Sequence, residues 1–476
     1  LKKYNRISEI QKDLFAGEIT CEQLVKNYLT KIEENKNLNA FLEVWDVEAL
    51  EKAQSIDLKI KNGTAGRLAG IVIALKDVIA YKNHKVSASS KILEGFESQY
   101  SSTLVERLLH EDAIFIGRTN CDEFAMGASN ENSAFGPVLN AIDNTRVPGG
   151  SSGGSAVAVQ AGMCHASIGS DTGGSIRQPA AFTGLYGLKP TYGKVSRWGL
   201  LAYASSFDQL GPFTKSIEDM ELLTQIISGP DDFDSTVAIE NNDKLFHAEP
   251  NGKYTFAVMK EAIEHPGLHP DVKKQTMQAI QALEKQGHKI TYFTFPLLDY
   301  MVPVYYVLTT AEASSNLSRY NGLLYGNRSK DAKDLETTFT LSRTEGFGTE
   351  VKRRIMLGTF VLSSDYYDAY YRKGQQVRRL IREKTLHVLS ECDAILMPTT
   401  STPPFKLGEK SKDPISMYLA DLFTVQANLA GVPAISVPYG QSETGLPIGL
   451  QLMCADFEER KLFALSQILL ECRDLA

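Results

Sequence analysis

Eight consecutive residues, Leu68-Ala69-Gly70-Ile71-Val72-Ile73-Ala74-Leu75, carry no polar side chain, and the run stops abruptly at Lys76-Asp77. The run is too short to cross a membrane, and it lacks the apolar–polar alternation of a strand with one wet face. Its length and β-branched content favour a strand buried on both sides. Such strands belong to sheets covered by helices on both faces. The rest of the chain keeps the same rhythm. Residues 102–111 suit a helix, 113–117 a strand, 155–161 a helix and 165–169 a strand. Strand-like runs return at 394–397, 434–437 and 448–453, and the stretches 47–61, 270–286, 303–320, 346–360 and 364–389 read as helices. Residues 7–35 also look helical, with Thr20 and Gln23 in a capping box. The pattern predicts an α/β fold with a large mixed sheet. One domain over residues 1–476 is expected, with a mainly helical insertion at about 228–390. The polar, turn-rich stretch 228–252 reads as a surface loop or subdomain boundary.

Composition excludes several classes of function. Of 476 residues, 43% are hydrophobic, far more than a disordered chain carries. The formal net charge is −7, which argues against binding nucleic acid through a basic face of the chain's own. The richest basic stretch (Arg372, Lys373, Arg378, Arg379, Arg382 and Lys384) has helical spacing and reads as a solvated helix face. The six cysteines are dispersed, with no C-x-x-C pair, so neither a disulfide framework nor a zinc site is expected. No histidine pair forms H-E-x-x-H. Leu1 to Arg6 and the charged segment after them lack the apolar core of a signal peptide. The longest uncharged stretches, 147–170 and 422–442, are broken by Gly, Pro, Ser and Asn. The expectation is a cytoplasmic protein.

Three features could carry chemistry. Gly149-Gly150-Ser151-Ser152-Gly153-Gly154-Ser155 is so rich in glycine that it needs a conformational reason. It can be a flexible surface loop, a phosphate cradle or a tight catalytic turn. The P-loop pattern is absent, and the match to G-x-S-x-G is weak in any Gly/Ser run. Asp171-Thr172-Gly173-Gly174-Ser175 lies between an expected strand and an expected helix. It can be a plain βα turn, or a place where backbone N–H groups converge on an anion beside a serine hydroxyl. Lys76 can snorkel from a strand end to water, or lose its charge by burial and act as a base. With no histidine commended by its surroundings, lysine is the obvious partner for a serine.

These segments, with Ile176-Arg177-Gln178-Pro179-Ala180-Ala181, resemble the signature of the amidase signature family, and Ala74-Leu75-Lys76-Asp77 completes its Lys–Ser–Ser set. Further likeness runs from about residue 5 to the C-terminus. It includes Asp122-Glu123-Phe124-Ala125-Met126-Gly127, Glu312 to Tyr320, Glu350 to Ile355 and Leu422 to Leu429. These segments resemble one branch of the family, the glutaminase subunits of glutamyl-tRNA(Gln) amidotransferases. The resemblance implies a single α/β/α unit. It also implies Ser175 as nucleophile, Ser151 as bridging serine after a cis Gly150–Ser151 peptide, and Lys76 as base. The amides of Thr172, Gly173, Gly174 and Ser175 are implied as the oxyanion hole. Arg354 matches the position that binds the glutamine α-carboxylate and Asp421 the one that binds its α-amino group. Tyr305 or Tyr306 matches a pocket tyrosine, in a register the adjacent pair leaves open. Without that match, Arg353 and Arg354 read as solvated helix residues.

The branch further implies glutamine as substrate, and no cofactor or metal in this chain. Ammonia would pass to a tRNA-binding kinase/transamidase partner that uses ATP and Mg²⁺, with a small third partner clasping the two in a heterotrimer. Two other readings share the same residues. One is a stand-alone amidase for small or aryl amides, which needs no amino-acid clamp. The other is a non-catalytic assembly protein that keeps the fold.

Overall fold

A computed structural model describes residues 2–238, 244–249, 251–410 and 414–475. Its strands are β1 (Phe41–Val44), β2 (Val72–Lys76), β3 (Ile114–Thr119), β4 (Ala166–Asp171), β5 (Tyr186–Lys189) and β6 (Gln209–Thr214). They continue as β7 (Thr255–Met259), β8 (Lys289–Phe293), β9 (Ala394–Pro398), β10 (Ala434–Gln441) and β11 (Pro447–Met453). All belong to one sheet in the order β1-β3-β2-β4-β6-β5-β10-β11-β9-β7-β8. The sheet is mixed: β2 runs parallel to both β3 and β4, whereas β5, β6, β10 and β11 pair antiparallel.

β2 has no polar alternation because it lies inside the sheet, between two parallel neighbours, with every residue buried. Alternate residues of single strands show the same layering. Phe256 and Val258 feed one hydrophobic cluster, Ala257 and Met259 the other; Ala394 and Leu396 oppose Ile395 and Met397 in the same way. The helix Glu459–Asp474 packs with the first cluster, and the helix Gly153–Gln160, buried from Gly153 to Val159, with the second. The α/β/α architecture is therefore as expected.

Local boundaries differ where turns intervene. The stretch 7–35 is two helices, Ile7–Phe15 and Cys21–Glu34, separated at Gly17, whose φ is +74°. Thr20 caps the second helix, accepting from Gln23 N at 3.1 Å while Gln23 Oε1 accepts from Thr20 N at 3.0 Å. The region 228–390 holds several helices, the longest being Pro270–Lys285, Leu298–Asn316 and Lys373–Ser390, but it also contributes β7 and β8 to the sheet edge. Residues 239–243 and 250 of the polar stretch 228–252 lie outside those described, as does Leu1.

The basic stretch is only partly a solvated face. Arg378 is turned inward over the Phe207 ring, 4.0 Å from its centroid, and donates to Ser206 Oγ and O at 2.8 Å. Arg382 pairs with Asp456 at 2.5 Å. All six cysteines are free thiols. Among the described residues no helix is long and apolar enough to cross a membrane.

Candidate active site

Lys76 closes β2 and is fully buried. Its Nζ stands 2.7 Å from Ser151 Oγ, 2.9 Å from Ser152 Oγ and 2.9 Å from Ser170 Oγ. The surroundings fix where the hydrogens go. Ser152 Oγ donates to the Ser170 carbonyl at 3.1 Å, so towards Lys76 it only accepts. Ser151 Oγ has no other partner among the described residues, and its hydrogen is free to point at the amine. A neutral amine can donate to Ser152 and Ser170 and offer its lone pair to Ser151. An ammonium would donate to all three hydroxyls and could take no proton. Burial draws Lys76 down to about 8, although the carboxylates of Asp122, Asp171 and Asp208 pull the other way.

The two glycine loops are stitched together beside this lysine. The Gly150–Ser151 peptide bond is cis. Gly150 N donates to Gln178 Oε1 at 2.9 Å, and Ser152 N donates to the Ser175 carbonyl at 3.2 Å. The second loop is wound around Asp171 at the end of β4. That carboxylate accepts from Gly174 N at 2.9 Å, Ile176 N at 3.2 Å and Asn428 Nδ2 at 2.9 Å. It also takes Arg177 Nε and Nη2, each at 3.1 Å. Against the effect of burial, Arg177 and Asn428 hold Asp171 down at about 2. Gly174 has φ +131°, and a Cβ there would collide with Thr424, so the turn demands glycine twice over.

Ser175 sits at the mouth of this turn, 8% exposed, and its Oγ has no hydrogen-bond partner among the described residues. The N–H groups of Thr172, Gly173 and Ser175 likewise have no acceptor among them. The Gly174 amide differs from the expectation, because it is committed to Asp171. An oxyanion formed beside Ser175 therefore has the amides of Thr172, Gly173 and Ser175 to draw on, with Gly174 shaping the turn.

A second cluster lies against the same loop. Arg354 is buried, in contrast to the solvated reading, and donates from Nε to Glu350 at 2.9 Å and from Nη1 to Tyr203 Oη at 2.9 Å. Its guanidinium lies 5.0 Å from the Tyr306 ring centroid and 5.4 Å from that of Tyr418. Nη2 is left without a partner among the described residues. Tyr306 Oη donates to Asp421 at 2.9 Å. Burial pushes Asp421 up to about 7, so a cation placed beside it would restore the carboxylate. Tyr305 packs where a side chain on Gly173 would stand, and Thr424 Oγ1 donates to the Gly173 carbonyl at 2.6 Å. The tyrosine pair thus divides its contacts: Tyr306 meets the charged pair and Tyr305 meets the amide turn. A cation and a carboxyl group gathered on Tyr306, next to the amide turn, suit a substrate that carries both charges.

Sequence reasoning had not assigned Ser152, Ser170, Tyr203, Glu350 and Arg177 to this site. Ser152 and Arg177 lay inside the glycine-rich segments, but only the folded arrangement shows what they hold.

The amidase family profile matches residues 23–463. The chain is 48% identical over 471 residues to the A subunit of glutamyl-tRNA(Gln) amidotransferase of Chlorobium phaeobacteroides, covering 98% of each chain. It is 47% identical over 470 residues to the protein of the same name from Chlorobaculum tepidum, covering 98% of this chain and 97% of the other. The crystal structure of the corresponding A subunit from Thermotoga maritima superposes with a TM-score of 0.76 at 41% identity, covering 93% of this chain and 90% of that one. With the two glycine–serine loops, the buried lysine between them and a profile match over most of its length, the chain belongs to the amidase signature family.

Proposed function

We propose that this chain is the glutaminase component of a glutamyl-tRNA(Gln) amidotransferase. The observation that carries the reading is that Arg354 and Asp421 both meet Tyr306 beside the amide turn. Glutamine brings an α-carboxylate for the free Nη2 of Arg354 and an α-ammonium for Asp421. A neutral aryl amide has no use for either. Near-full-length likeness to the amidotransferase relatives supports the same choice.

The hydrogen inventory supports the step from Ser151 to Lys76, and the family resemblance supplies the step from Ser175 to Ser151. Ser175 Oγ attacks the side-chain carbonyl carbon of glutamine. Its proton passes to Ser151, whose own proton moves to neutral Lys76. The carbonyl oxygen becomes an oxyanion, held by the amides of Thr172, Gly173 and Ser175. Lys76 returns a proton through Ser151 to the leaving nitrogen, and ammonia departs from a glutamyl ester on Ser175. Water, deprotonated through the same relay, then attacks the ester and releases glutamate.

The partners and their cofactors follow from the branch. A tRNA-binding kinase/transamidase, using ATP and Mg²⁺, would activate Glu-tRNA(Gln) and receive the ammonia. A small third protein would hold the two together. The acidic charge of this chain, −7, suits a component that leaves tRNA binding largely to its partner. A cytoplasmic location is part of the same proposal.

The test is ammonia release from glutamine and from benzamide, by the chain alone and with its partners. Glutamine should be the better substrate, and the more so in the complex. Equal turnover of benzamide would favour a stand-alone amidase. Replacing Arg354 by alanine should raise KM for glutamine about 10- to 100-fold, the loss expected for a hydrogen bond between charged groups worth ~1.5–3 kcal/mol. Benzamide turnover should change little.

A further inference from the structure

The turn that follows β3 joins the two halves of the site. Asp122 N donates to the Ser151 carbonyl at 3.1 Å, next to the proton relay. The next residue, Glu123, points the other way, towards the helix Thr349–Val361 that carries Glu350 and Arg354. That helix begins without a cap of its own. Gly348 at its N-cap has no side chain, and the third helical residue, Val351, cannot reach back to the Gly348 N–H as a Glu or Gln would. Glu123 supplies the missing acceptor from 225 residues away, its Oε2 and Oε1 standing 2.9 and 3.1 Å from Gly348 N. Ser90 Oγ donates to the same carboxylate.

The fit is specific. A Cβ on residue 348 would collide with Glu123 Oε2, so the approach of the carboxylate explains the glycine. The Phe124 and Phe347 rings meet at 5.6 Å directly beside this contact. Phe124 and Ala125 have φ of 49° and 59°, a left-handed conformation that non-glycine residues hold only where the surroundings enforce it. Glu123 is 3% exposed, with no cation at ion-pair distance among the described residues. Burial pushes Glu123 up to about 7 against the pull of the Ser90 hydroxyl, the Gly348 N–H and Lys352, and in either protonation state a carboxyl oxygen stays available to the Gly348 N–H.

We propose that Glu123 is a positioning residue, capping the Arg354 helix from outside and so fixing the amino-acid clamp relative to the Lys76–Ser151 relay. The proposal rests on the glutaminase reading. It predicts a loss in substrate capture with the chemistry intact, because Glu123 touches neither the relay hydroxyls nor the amide turn.

The experiment compares Glu123→Ala and Glu123→Gln with the unsubstituted chain, in the preparation in which the latter hydrolyses glutamine. Three quantities are read: KM, kcat and the rate at which a small sulfonyl fluoride sulfonylates Ser175 with loss of fluoride. Glu123→Ala should raise KM about tenfold or more, with kcat within about threefold and the sulfonylation rate unchanged. Glu123→Gln keeps an oxygen for the Gly348 N–H and should show a smaller rise. An unchanged KM in Glu123→Ala, or a joint fall of kcat and sulfonylation rate, overturns the proposal. Should Glu123→Ala not fold, Glu123→Gln decides by the same split: a higher KM at constant kcat supports the proposal, and any other result overturns it. A failure of the glutaminase reading would look different, since the unsubstituted chain would then release no ammonia from glutamine while still accepting a neutral amide.

Discussion

Replacing Ser175 by alanine should abolish ammonia release from glutamine and leave the fold unchanged. The hydroxyl has no hydrogen-bond partner among the described residues, so its removal orphans no donor or acceptor, and the thermal midpoint should stay within about 1–2 °C. The amide turn is held by Asp171, Arg177 and Asn428, and the substitution touches none of those contacts. Loss of a nucleophile in a serine hydrolase typically costs ~10⁴- to 10⁶-fold in kcat, well beyond the ~10²- to 10³-fold for one oxyanion donor. Glutamine should still bind, because Arg354 and Asp421 are intact. The decisive pair of measurements is glutaminase turnover and equilibrium binding of glutamine by calorimetry. Turnover near that of the unsubstituted chain would remove Ser175 from the mechanism. Loss of both turnover and binding would point to a damaged pocket instead.

How much of this was legible before the fold depended on how local each feature is. β2 announced itself because a strand buried on both faces has no reason to alternate, and the glycine loops because tight turns around Asp171 and against Asn120 admit no side chain. Strands β1 and β5 to β8 stayed hidden. β6 carries Gly211 and Pro212 in its interior, where proline usually argues against a strand, and β8 is a short, half-exposed strand at the sheet edge. The break at Gly17 inside 7–35 was in plain view, since a capping box at Thr20 can only mark a new helix start. Arg354 and Asp421 had no local signal beyond the family likeness. Their chemistry comes from Tyr203, Tyr306, Glu350 and Tyr418, which only the tertiary fold collects around them. The amide of Gly174 shows the opposite limit. Its place in the motif suggested an oxyanion donor, but the hydrogen bond to Asp171 can be known only from the folded turn.

Lys76→Arg should be as inactive as the serine variant, for a reason that lies in acid–base chemistry. The relay needs an amine that is neutral part of the time. Desolvation brings Lys76 to about 8, where a useful fraction is neutral at physiological pH. A guanidinium stays protonated throughout, and its larger planar head does not fit among the hydroxyls of Ser151, Ser152 and Ser170. The same argument fixes the sign of the pH dependence. The base is the deprotonated form, so kcat/KM should rise about tenfold per pH unit below the apparent pKa and level off above about 8. The stability linkage runs in the same direction. A lysine whose folded-state pKa lies below its unfolded value penalises the fold while protonated. That penalty is full below about 8 and fades as pH rises towards the unfolded value of 10.5. Two measurements check this, a pH–rate profile from pH 6 to 9.5 and the turnover of Lys76→Arg across the same range. A flat profile, or an arginine variant that regains activity at high pH, would mean that a group other than this lysine takes the proton.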